Sequence, residues 1–61
     1  MTTEERKVYD LLLKEKKGSP IQIKYGTCMT LNNVYGALAA LQNKGLVELD
    51  EKKCVYYPIS K

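Results

Sequence analysis

Residues 30–50, TLNNVYGALAALQNKGLVELD, decide the fold. Thr30 is a helix N-cap by residue type, and Val34, Ala37, Leu38 and Leu41 then fall on one face of a helix. That helix is expected over about residues 31–43. Gly45 ends it, and Leu46 supplies the hydrophobic contact of a Schellman close. LVELD is rich in strand formers, so an amphipathic helix runs straight into a strand. With the apolar stripe turned inward, Asn32, Gly36, Ala39 and Asn43 point outward, flanked by Asn33, Tyr35 and Ala40. This outward face carries no arginine.

Working downstream, CVYYPIS at residues 54–60 is a second strand-forming run. Glu51–Lys53 joins it to the first, which gives a hairpin. Val55, Tyr57 and Ile59 alternate with Cys54, Tyr56 and Pro58, and Pro58 suits an edge strand near its end. Upstream, residues 2–17 read as a helix opened by a Thr2/Glu5 capping box. Val8, Leu11 and Leu12 form its buried stripe, with Tyr9 and Leu13 on a second edge. Lys14, Lys16 and Lys17 favour its negative end, and Gly18 supplies a left-handed stop. Ser19, Pro20 and Gln22 open a short second helix over about 20–26. Part of 19–21 is alternatively a brief extra strand. Residues 27–30, TCMT, read as a turn.

The chain has 61 residues, which bounds it to one domain, 1–61, with no room for a walled catalytic cleft. Its composition, 44% hydrophobic and 28% charged, is that of a globular domain and too apolar for disorder. No apolar run is long enough to span a membrane and no signal peptide is evident, so a cytoplasmic location is expected. Ten Lys+Arg oppose seven Asp+Glu, a net charge of +3. The distribution says more than the total: residues 18–45 hold Lys24 and Lys44 and no acid. A surface that meets phosphates needs such a segment, because a carboxylate there repels them. There is no histidine, no Gly-rich phosphate loop and no Ser or Cys beside a base, so the sequence implies neither an enzyme nor a cofactor. Cys28 and Cys54 do not make a zinc site. They read as small, semi-buried apolar residues, with a disulfide between them as the alternative.

The order helix, short helix, turn, long helix, hairpin is that of a winged helix-turn-helix. Over about residues 19–59 the chain resembles small prokaryotic and archaeal regulators of the ArsR, MarR and PadR type, viral and plasmid forms included. Ile23 takes the second-helix position and Val34 follows at the family spacing. Met29 and Thr30 match the turn, and Val34-Tyr35, Ala37-Leu38 and Leu41 match the third helix. Lys44-Gly45-Leu46-Val47 match its close, and Val55-Tyr56-Tyr57 match the wing, expected over about 46–59. Three residues depart from the pattern. Cys28 replaces a glycine, Lys24 a small alanine, and Gly36 a common arginine or lysine. The resemblance implies an α+β winged helix, three helices plus a two-stranded hairpin.

It further implies double-stranded DNA as partner, with the third helix in the major groove. The chain is then a transcriptional regulator or nucleoid factor, binding as a homodimer through the first helix or the wing edge. Asn32 and Asn33 are candidate adenine readers, and Gly36 lets the backbone approach the bases. Lys24, Lys44, Lys52 and Lys53 are candidate phosphate contacts. Thr30 is a cap whose hydroxyl is also free to meet a phosphate. Tyr35 is expected half in the core, with its hydroxyl in reach of a phosphate. No small-molecule ligand is implied. The competing reading uses the small residues Gly36 and Ala40 as a close-contact face for a protein partner, with RNA binding a weaker option.

Overall fold

The computed structural model describes residues 1–59; Ser60, in the second strand-forming run, and Lys61 lie outside the described residues. The elements are α1 (Thr3–Glu15), α2 (Pro20–Thr27), α3 (Leu31–Asn43), β1 (Val47–Asp50) and β2 (Val55–Pro58). The strands pair antiparallel in a register from Val47 opposite Pro58 to Asp50 opposite Val55. Three helices followed by an antiparallel hairpin make an α+β arrangement with the layout of a winged helix.

Each helix starts where a side chain can satisfy an orphan N–H. The Thr2 hydroxyl accepts from the Glu5 N–H at 3.2 Å, and the Thr30 hydroxyl accepts from the Asn33 N–H at 3.3 Å. At α2 the box is reciprocal: the Gln22 N–H donates to Ser19 Oγ at 3.3 Å, and the Ser19 N–H donates to Gln22 Oε1 at 3.0 Å. At α1 the box is only half made, because the Glu5 carboxylate is engaged elsewhere. The end of α3 is a full Schellman motif. The Gly45 N–H donates to Gln42 O at 3.0 Å, the Leu46 N–H donates to Leu41 O at 2.9 Å, and Gly45 has φ 74°.

Two local expectations are corrected. Helix α1 stops at Glu15, and Lys16, not Gly18, takes the left-handed conformation, with φ 75°. Gly18 is committed to another partner. Its N–H donates to Tyr56 O at 2.9 Å, and the Tyr56 N–H donates to Gly18 O at 2.8 Å. The extra strand expected at 19–21 is therefore a single bridge at Gly18, since Ser19 and Pro20 already open α2. Cys28 closes α2 with φ 58° and ψ 32°, the left-handed conformation that glycine adopts without cost. Cys54 does the same at the end of the hairpin turn, with φ 55°, so it lies in the turn and not in the strand.

The core is built where the three helices and the hairpin meet. Val8 and Leu12 come from α1, Ile23 from α2, Val34, Ala37, Leu38 and Leu41 from α3, Val47 from β1 and Tyr56 from β2. All four inward positions expected of α3 are buried. Leu11, Met29, Leu46 and Leu49 pack around this cluster.

Two helical glycines differ in what holds them. A Cβ on Gly26 would stand 2.7 Å from Leu11 Cδ2, the tip of a half-buried side chain that must rotate to admit it. A Cβ on Gly36 would meet nothing within 4 Å among the described residues. A mid-helix glycine costs about 1 kcal/mol relative to alanine. Gly36→Ala is therefore expected to stabilise the domain by roughly that amount, raising Tm by about 4–8 °C. Gly26→Ala is expected to gain less than Gly36→Ala, because the tip of Leu11 must turn aside and offsets part of the helix gain. Thermal melts of both variants check this; no rise for Gly36→Ala would mean that the glycine has an intramolecular role.

Candidate nucleic-acid interface

Asn32, Asn33 and Gly36 are exposed on the N-terminal half of α3, and they share one shallow groove of about 220 Å³. Its other lining comes from Ala37 and from Thr2, Glu4 and Glu5 at the start of α1. The first helix thus contributes a wall beside the face that sequence reasoning assigned to α3 alone. The segment free of acids along the chain is bordered by two acids in space.

Those two acids differ. Glu5 is 8% exposed, and its carboxylate pairs with the Lys44 ammonium. The hydrogen bond from Lys44 holds the Glu5 carboxyl below the usual glutamate range, against the opposing effect of burial. Lys44, expected to hold a phosphate, is therefore already spent on compensating a buried charge. Glu4 is exposed, and among the described residues it has no ion-pair partner.

The remaining candidates stand outside that groove. Tyr35 is 49% exposed, so the expectation of a half-core position is corrected: it follows Val34 by about 100° of helix and leaves the buried stripe. The Lys24 ammonium lies 4.5 Å from the centroid of the Tyr25 ring, and Tyr25 is 73% exposed. Sequence reasoning attached nothing to Tyr25; its place opposite Ile23 on a short helix was the available signal. Lys52 and Lys53 are exposed in the hairpin turn, where both backbone N–H groups donate to Asp50 Oδ1, at 3.1 and 3.3 Å. Asp50 thereby shapes the turn that presents both lysines. Thr30 is exposed and occupied as a cap. Gly36 is exposed and Ala40 half-buried, so the small-residue face expected for a protein partner is only partly open. Cys28 and Cys54 are both free and exposed, neither semi-buried nor bonded to each other.

No protein family, curated protein or solved structure matches the chain. The functional argument therefore rests on its own residues. None of its helices among the described residues is long and apolar enough to cross a membrane.

The Glu5–Lys44 pair has a pH signature. Folding lowers the Glu5 pKa, so its stabilising contribution is complete above the unfolded value of about 4.3. It is lost as pH falls through the lower folded value. Wild type is expected to lose stability below about pH 4 more steeply than Glu5→Gln, in denaturant titrations run from pH 7 to pH 3. Parallel pH profiles for the two proteins would rule out a stabilising pair.

Proposed function

We propose that this chain binds double-stranded DNA as a small winged-helix regulator or nucleoid factor, with α3 in the major groove. Gly36 carries the proposal. It lowers the stability of the helix it sits in, and among the described residues nothing lies within 4 Å of the place its Cβ would take. A glycine on an exposed face admits a close approach from outside. Its groove-mates Asn32 and Asn33 have the two-headed amide that bonds adenine N6 and N7. Lys52 and Lys53 in the hairpin turn, Lys24 on α2 and the hydroxyls of Thr30 and Tyr35 then serve the phosphates. We assign the action to a homodimer in the cytoplasm, because one module with so few cations binds weakly. The reading is of a binding module, not an enzyme, and needs no cofactor.

The magnitude follows from charge counting. Three phosphate contacts per module give a slope of log affinity on log salt of about −2.7, or about a 40-fold loss between 50 and 200 mM salt. A dimer is expected to lose about the square of that. Fluorescence anisotropy with a random duplex pool measures it. Lys52→Ala should reduce the slope by about 1 per module and weaken all sequences alike, whereas Asn32→Ala should relax sequence preference and leave the slope unchanged. Salt-insensitive association with a protein, abolished by Gly36→Arg, would replace DNA with a protein partner.

A further inference from the structure

Glu4 is the exposed charged residue of the groove, and the proposed function leaves it without a role. It lines the same groove as Asn32, Asn33 and Gly36. The neighbouring Glu5 carboxylate is neutralised by Lys44, so the groove meets an approaching ligand with a single free carboxylate. In the first turn of α1 its charge favours the positive helix end, which leaves the carboxylate itself open: the cap is made by Thr2, and among the described residues Glu4 has no ion-pair partner.

We infer that Glu4 is a specificity-determining residue, reading cytosine beside the adenine read by Asn32 or Asn33. The inference rests on the DNA-binding reading above and deepens it. A carboxylate is acceptor-only, so in the major groove it accepts from the cytosine N4 amino group. Guanine presents O6 and N7 there, both acceptors, and is repelled. The same negative charge opposes every phosphate, so it lowers affinity for random duplex. One side chain therefore acts twice, weakening indiscriminate binding and rewarding one base. The partner it defines is a duplex in which a C·G pair adjoins an A·T pair.

The test is selection of bound sequences from a random duplex pool with wild type, Glu4→Ala and Glu4→Gln, each checked for wild-type helicity by circular dichroism. Wild type should enrich a cytosine next to an adenine. Replacing that cytosine by guanine should cost roughly 5- to 150-fold in affinity, the range of one mismatched pair. Glu4→Ala should lose the cytosine preference, keep the adenine preference, and bind random duplex more tightly than wild type. Glu4→Gln should also gain affinity for random duplex, because it loses the charge. Identical base preferences in wild type and Glu4→Ala would overturn the role given to Glu4 while leaving DNA binding intact. Failure of wild type to bind any duplex at about 50 mM salt, where phosphate contacts are strong, would overturn the DNA reading and this inference with it.

Discussion

The packing of α3 against α1 governs what the surface can present. Turning Val34, Ala37, Leu38 and Leu41 inward fixes the rotation of α3, so the residues on its far side are exposed by necessity. On α1 the buried stripe is Val8 and Leu12, and Glu5 precedes Val8 by three residues on the same face. Docking the helices therefore drives a carboxylate toward the interior. A buried carboxylate is costly unless paired, and Lys44 answers it from the end of α3. Asn33, Ala37, Ala40 and Lys44 follow one another by four, three and four, so they share one flank of α3. The start of α1 lies along that flank. The ion pair and the groove beneath Asn33 are two consequences of one helix crossing.

Much of this was legible because the deciding signals are local. A cap acts on an N–H three residues away, and an apolar stripe repeats within one or two turns. Thr30, the buried stripe of α3, the Ser19/Gln22 box and the Gly45 close could all be read from short windows. The strands were legible from their alternation, with Tyr56 buried and Tyr57 exposed. The errors occur where a distant partner decides. Lys16 takes the left-handed position because Gly18 is held by Tyr56, which is remote in sequence. Glu5 fits a cap by local spacing, whereas the partner that engages its carboxylate, Lys44, stands 39 residues away. Lys44 was counted as a free cation for the same reason. The misreading of Tyr35 is different in kind: an aromatic was expected to seek the core, whereas helical phase leaves it outside. Among candidate site residues, Asn32, Asn33 and Gly36 line one groove, and the wall supplied by α1 is invisible along the chain.

The charge inventory bears on how the proposed nucleic-acid face could work without arginine. Net charge is +3, yet few cations are free to attract a polyanion from the central and hairpin regions. Lys44 is committed to Glu5, whereas Lys24, over the Tyr25 ring, keeps its charge. Lys52 and Lys53 share their hairpin with Glu48, Asp50 and Glu51. An arginine face works at a distance, because a long guanidinium bridges the gap between helix and base. Short side chains work only if the helix axis comes nearer. Gly36 and Ala39 leave room for that approach, in which Asn32 and Asn33 would reach base edges without long stems. On the proposed reading, weak long-range attraction and close short-range contact belong together. Such a surface gains little from phosphates that every duplex offers. On that reading it gains most from the bases it touches, and Glu4 at its edge would sharpen that bias, since a carboxylate is repelled by all phosphates and satisfied by few bases.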